Sequence, residues 1–271
     1  MKAFAKRMLF LIIGLYLALV VVAILLSDRL IFLPHPSSYQ DGPEITKLTT
    51  RTGKKISAIY LANPTAKFTL LISHGNAEDL GDDRFWLDEL HRAGFSILAY
   101  DYDGYGTSEG KAGEQAAYDD EGAAYDYLTA TRRIPADSII IYGRSVGSGP
   151  AVHLAARKPV AGLILQSPFV SAFRVLTRIP LLPFDKFPNY KDIRNVHCPL
   201  LIIHGDSDTV IPSWHGKKLY ELANEPKKYV PVPGADHNDL QMVAGKSYME
   251  SLQQFVESIN QARSRKLASS L

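Results

Sequence analysis

The segment IIIYGRSVGSGPAVHLAA contains Gly143-Arg144-Ser145-Val146-Gly147, a glycine-x-serine-x-glycine pattern between an apolar run and a helix-forming stretch. In that context the pattern predicts a sharp strand-to-helix turn, with the serine held in a strained conformation above the sheet edge and glycines on either side where side chains would not fit. A serine hydroxyl is a weak nucleophile unless a base takes its proton, and the base needs a carboxylate to fix its tautomer and stabilise the imidazolium. Both groups lie downstream. LLIIHGDSDTVIP places Asp206 and Asp208 in a loop after an apolar run, and VPVPGADHNDL places His237 in a loop after the next. The chemistry implied is nucleophilic acyl transfer through Ser145, with His237 as base and Asp208 as the acid that orients it. Asp208 is preferred because it lies farther beyond the strand, whereas Asp206 is positioned to brace the turn. The remaining seven histidines read as packed or solvated residues, His74 among them as part of a loop.

Acyl transfer also needs donors for the developing oxyanion. The loop in LLISHGNAEDLGD follows an early apolar run, and its His74-Gly75-Asn76 lets backbone approach a substrate closely. The backbone amides of Asn76 and Val146 are the expected pair, with Ala77 as the alternative to Asn76. No cluster of histidines and acids has metal-ligand spacing, so neither a metal nor an organic cofactor is expected.

These loops need a scaffold. Short runs that are apolar on both faces, at Phe68 to Ser73, Ser96 to Tyr100, Ser138 to Tyr142, Gly162 to Gln166, Leu200 to His204 and Lys228 to Val232, predict parallel strands covered by helices. Helices are expected between them at Asp82 to Ala93, Glu114 to Thr131, Val146 to Lys158 and Pro212 to Ala223, with a last one at Tyr248 to Arg263. Ile45 to Arg51 and Ile56 to Leu61, joined by Thr52-Gly53-Lys54-Lys55, read as an opening hairpin. The alternation predicts a doubly wound, mostly parallel α/β sheet with an N-terminal hairpin, and ligands gather outside the carboxyl ends of such strands.

Ahead of this domain, Met8 to Leu26 reads MLFLIIGLYLALVVVAILL, an uncharged run long enough to cross a bilayer core of roughly 30 Å. It exceeds the apolar core of a signal peptide and lacks a small-x-small cleavage site, which favours an uncleaved anchor. Lys2, Lys6 and Arg7 precede it and Arg29 follows, so the positive-inside bias keeps the amino terminus cytoplasmic and places the catalytic domain on the exoplasmic or periplasmic side. The expected organisation is an anchor at 1–30, a linker at 31–43, a catalytic domain at 44–263 with a short lid at 168–198, and a tail at 264–271. Net charge is +2, carried largely around the apolar run, and no basic stripe offers a nucleic-acid footprint. The single cysteine, Cys198, excludes an intramolecular disulfide and reads as core filler.

The motifs HGNAEDLGD, DYDGYGTSEG, GRSVGSGPA, IHGDSDTVIP and GADHNDL, in that order from Phe32 to Phe255, resemble the α/β-hydrolase domain-containing protein family. Within it, the chain resembles the palmitoyl-protein thioesterase-like and single-pass type II members. The resemblance implies the α/β-hydrolase fold and places Ser145, Asp208 and His237 at the family's triad positions. The thioesterases attach to membranes through an acylated, cysteine-rich amino terminus, whereas this chain carries a hydrophobic helix there, as the type II members do.

The lid region holds Phe169, Phe173, Leu176, Ile179, Leu181, Leu182 and Phe184, which suit either an acyl pocket or a cover for the core. The expected function is a membrane-anchored serine hydrolase cleaving an ester or thioester of a small-molecule, lipid or acylated-protein substrate through an acyl-enzyme. A serine peptidase of the same fold and a non-catalytic membrane-tethered binding module are the alternatives.

Overall fold

Two β-branched, alternating segments, β1 (Ile45–Thr49) and β2 (Lys55–Leu61), close the predicted hairpin with Ile45 opposite Ile59 and Thr49 opposite Lys55. The computed structural model describes residues 1–269, with side chains through Arg265. The apolar runs after the hairpin become β3 (Thr69–Ser73), β4 (Ser96–Tyr100), β5 (Ile139–Arg144), β6 (Gly162–Gln166), β7 (Leu200–Gly205) and β8 (Lys227–Val232). Among the described residues they form one eight-stranded sheet in the order β1-β2-β4-β3-β5-β6-β7-β8. β2 runs antiparallel to β4, and every pairing from β4 through β8 is parallel. The chain steps outward from β3 to β4 and returns across β3 to β5. That reversal opens a crevice at the carboxyl ends of β3 and β5, where ligands bind in open α/β sheets.

Helices cover both faces. On one side α3 (Glu114–Asp126), α4 (Ser148–Ala155), α6 (Asn189–Asp192) and α7 (Trp214–Leu222) enclose a core containing Leu71, Leu98, Ile141, Leu163 and Ile202. On the other, α2 (Arg84–Arg92), α8 (Leu240–Ala244) and α9 (Lys246–Ser269) pack on Leu70, Ile72, Ile140, Ile164 and Leu201. Neighbouring residues of one strand thus serve opposite cores, which explains runs that are apolar throughout. The expected helix from Glu114 to Thr131 is α-helical only to Asp126 and finishes as a π-turn, Tyr127–Thr131. The last helix continues past Arg263 to Ser269, over most of the expected tail; Ser270 and Leu271 lie outside the described residues.

The amino-terminal helix α1 (Lys2–Ile31) is long and apolar enough to cross a membrane, and most of it is exposed. Ile31 ends α1, and residues 32–43 form no helix or strand yet are strapped to the domain. Phe32 is buried edge-on against Tyr102, Tyr105 and Phe187, with ring centroids 6.0–6.4 Å apart. Ser38 hydrogen-bonds Asp79, and the Tyr39 hydroxyl donates to Asp101. At the helix end Asp28 pairs with Lys186 at 3.1 Å. The lid region, 168–198, holds two short α-helices, α5 (Ala172–Thr177) and α6.

Candidate active site

The turn after β5 is built as its glycines require. A side chain at Gly143 would place its Cβ 2.6 Å from the Ala151 Cβ and the Gly147 oxygen, and one at Gly147 would lie 2.1 Å from the Ser73 carbonyl oxygen. Both are forbidden contacts, so α4 sits as close to β3 and β5 as it does only because these positions are bare. Ser145 between them adopts φ 52°, a left-handed conformation costing a non-glycine residue about 1–3 kcal/mol. Its carbonyl accepts a hydrogen bond from Ser148 Oγ at 2.7 Å, which holds the turn from below.

The three residues expected to act together do meet. Ser145 Oγ lies 2.9 Å from His237 Nε2, and His237 Nδ1 lies 2.8 Å from Asp208 Oδ2. They come from the ends of β5, β7 and β8, so the sheet brings together residues 29 and 92 positions apart in the chain. Burial raises the pKa of Asp208, but hydrogen bonds from His204, His237 and the Ile211 amide, with the charge of His237, outweigh it and hold the carboxyl well below the usual carboxylate range. Its other oxygen accepts from the amides of Val210 at 3.0 Å and Ile211 at 2.6 Å. Asp206 does not approach the histidine. Its carboxylate accepts from the Gly234 amide at 2.7 Å, bracing the loop after β7 against the loop after β8.

Two supporting residues were not legible in the sequence. His204, fully buried in β7, lies with Nε2 2.8 Å from the Ile211 carbonyl and 3.4 Å from Asp208 Oδ2, behind the acid. The reading of His204 as a packed residue holds for its burial but misses this contact. Asp236 accepts from the amides of Thr209 and His237 at 2.7 and 2.8 Å and so stitches the acid's loop to the base's loop. These bonds hold its carboxyl below the usual range. An acid immediately before the histidine was the only available signal.

The loop after β3 is equally fixed. Asn76 Oδ1 accepts from its neighbour's amide, Ala77 N–H, at 3.0 Å, which occupies the donor that was the alternative to Asn76. The Asn76 amide itself has no acceptor among the described residues. Val146 is the second residue of the helical turn at 145–147, where amides lack intrahelical partners. Both residues line a cavity of about 400 Å³ beside Ser145 and His237. Gly75 N–H donates to Glu78 Oε2 at 2.9 Å, while Glu78 Oε1 pairs with Arg144 at 2.8 Å. His74 lies beneath the loop, buried, with Nε2 3.3 Å from Asp101. Burial favours its neutral form, but the Asp101 carboxylate prevails and raises its pKa to about 9.

His35, Asp79 and Asp82 bring possible ligand atoms within 4.8 Å of one another. Asp79 accepts from Ser38, Gly81 and Asp82, and His35 Nε2 lies 2.9 Å from Asp82 Oδ2, so the group clamps the strap.

Chemically, a histidine within hydrogen-bond reach of Ser145, with a buried carboxylate on its other nitrogen, can take the hydroxyl proton beside a cavity that Asn76 and Val146 line. The comparisons with known proteins agree with the fold. The profile of the serine aminopeptidase S33 family matches residues 64–183. An esterase of Pyrococcus furiosus superposes with a TM-score of 0.71 at 18% identity, covering 83% of this chain and 98% of that one. An esterase of a Rhodococcus species does so at 0.63 and 19%, covering 80% and 99%. Human alpha/beta hydrolase domain-containing protein 17B is 40% identical over 226 residues, 82% of this chain and 78% of the relative. The Xenopus laevis protein 17C is 39% identical over 221 residues, 80% and 70%. With identity at that level over most of both chains, this protein belongs to the alpha/beta hydrolase domain-containing protein 17 family.

Proposed function

We propose that this protein is a membrane-anchored serine hydrolase that cleaves an ester or thioester through an acyl-enzyme on Ser145. The observation that carries the reading is the continuous path from Ser145 Oγ through His237 to Asp208, at 2.9 and 2.8 Å. His237 removes the hydroxyl proton as Ser145 attacks the carbonyl, the amides of Asn76 and Val146 receive the oxyanion, and the protonated histidine returns its proton to the leaving alkoxide or thiolate. Water activated by the same histidine then releases the acid. The strained φ of Ser145 supports this role, because non-glycine residues persist in that region chiefly where function requires it.

The serine aminopeptidase profile raises an aminopeptidase reading, in which a free carboxylate would hold a substrate's charged amino terminus. Glu78 is the acid that lines the cavity, and both of its oxygens are engaged, by Gly75 and Arg144. The ester reading is therefore preferred. Full-length protein is expected to turn over p-nitrophenyl butyrate and to leave leucine p-nitroanilide essentially uncut; the opposite preference would make the site a peptidase.

The anchor and its orientation belong to the same proposal. Lys2, Lys6 and Arg7 before the apolar run favour a cytoplasmic amino terminus and a catalytic domain on the exoplasmic or periplasmic side. Protease added to intact cells, or to spheroplasts where an outer membrane exists, should digest the hydrolase domain. A domain that survives until lysis lies in the cytoplasm.

A further inference from the structure

The cavity at Ser145 does not end at the catalytic loops. It meets a second, strongly apolar groove at Leu30, Ile31, Ala172 and Leu176, residues that line both. One wall of this groove is the carboxyl-terminal part of α1, with Leu19, Val22 and Ala23; the other is α5 and the segment after it, including Phe173, Leu182 and Phe184. From Leu19 to Ile31 the wall is thirteen residues, roughly 18 Å at helical rise, close to the roughly 15 Å depth of one leaflet's hydrocarbon. The groove's carboxylate, Asp185, is turned to its own segment, accepting from Ser171 Oγ at 2.6 Å and from the amides of Phe173 and Lys186. No cation or anion is thus left facing the channel among the described residues that line it.

The segment facing α1 reaches well along the helix. Tyr16, fifteen residues before Ile31, donates its hydroxyl to the Leu181 carbonyl at 3.3 Å. In hydrocarbon a loop carbonyl needs such a partner. Leu176, Ile179 and Leu181 nearby are 88%, 58% and 48% exposed, an apolar tip with no protein over it. If α1 spans the bilayer, this tip lies level with the half of the span nearest the domain and is covered by lipid.

The junction is held rigidly to the oxyanion loop. Asn76 Nδ2 donates to the Ile31 carbonyl at 2.7 Å, and Asn76 Oδ1 accepts from the Leu33 amide at 2.9 Å and from the Tyr105 hydroxyl at 2.6 Å. The wall of the groove and the Asn76 amide therefore keep one geometry.

Resting on the serine hydrolase reading above, we propose that α1 is part of the substrate site. Together with residues 172–185 it forms a lateral groove that takes the single acyl chain of a membrane lipid ester directly from the leaflet, and delivers its carbonyl to Ser145. A lipid is the occupant because one wall of the groove is the apolar, membrane-length helix itself. On the outer face, moreover, the acyl esters at hand are those of the leaflet. The paired Glu78 and Arg144 leave the head-group end without net charge, which fits a neutral head such as glycerol.

The test uses full-length protein reconstituted in vesicles of diether phosphatidylcholine, which contains no cleavable ester, with 1-palmitoylglycerol as the lipid probe and p-nitrophenyl butyrate as the soluble one. Ala23→Trp, which fills the distal groove, and Leu182→Gln, which puts a polar amide in it, should each lower the palmitoyl-to-butyryl rate ratio about tenfold or more, the scale on which apolar pockets discriminate. An unchanged ratio in both variants overturns the groove, whatever happens to either rate alone. An S-palmitoyl peptide cleaved while 1-palmitoylglycerol is not would overturn the lipid assignment. Butyrate turnover that survives Ser145→Ala would instead remove the serine hydrolase reading, so the two failures are separable.

Discussion

Ser145→Ala is expected to reduce hydrolysis of p-nitrophenyl butyrate by roughly four orders of magnitude or more, while circular dichroism and thermal melting stay close to wild type. The variant removes only an oxygen. Gly143 and Gly147 still permit the close approach of α4 to β3, and alanine's methyl occupies the space of the serine Cβ. Alanine at φ 52° bears the same steric cost as serine, so the fold loses little. What is lost is the hydroxyl placed 2.9 Å from His237 Nε2 at the end of the hydrogen-bonded path. Because members of such a constellation act as a unit, Ser145→Ala combined with His237→Ala should be little slower than either alone. Turnover by Ser145→Ala near the wild-type rate, measured against a fresh preparation to exclude contamination, would take the serine out of the chemistry.

Asp208→Asn carries the second large effect, a fall of about 10⁴-fold in kcat, against a few-fold at most for Asp206→Asn. An amide at position 208 offers Nδ2 hydrogens where His237 now donates, which turns the imidazole to the wrong tautomer and removes the charge that stabilises its protonated form. The substitution also leaves His204 beside a neutral partner and weakens the acceptors for the Val210 and Ile211 amides. Asp206, by contrast, braces the Gly234 amide, and its loss should appear mainly as lower thermal stability. Parallel kinetics on the two variants check the ranking; the larger loss at Asp206 would assign the acid there.

The parts of this site that were legible in the sequence are those dictated by local chemistry. The glycines flanking Ser145 imposed their turn, and apolar runs such as Leu70 to Ile72 carried the signature of strands buried on two faces. Asp208 and His237 could be chosen because each follows a strand, where an open α/β sheet collects its functional loops. What stayed hidden depends on contacts between distant segments. Nothing in the neighbourhood of Asn76 announces that its side chain would bind the Ile31 carbonyl 45 residues away. Nor does the sequence around His204 show that its ring stands behind Asp208, since a histidine in an apolar strand looks the same whether it packs or positions. The strap from Phe32 to Tyr39 was read by its prolines and lack of periodicity, which describe its backbone correctly but not the buried aromatic cluster and aspartates that hold it. The apolar lid residues had two readings on sequence, and the structure divides them: Phe169 is buried in the core, whereas Phe173, Leu176, Ile179, Leu181, Leu182 and Phe184 line a groove with α1.

The account stands or falls on Ser145 being an activated nucleophile in the native protein. The most direct measurement is labelling of full-length protein with a fluorophosphonate, followed by peptide mass spectrometry. The expected result is a single adduct on the peptide containing Gly143-Arg144-Ser145-Val146-Gly147, located on Ser145, with labelling greatly slowed in His237→Ala and absent in Ser145→Ala. An adduct on another serine, or native protein that stays unlabelled while its fold is intact, would contradict it.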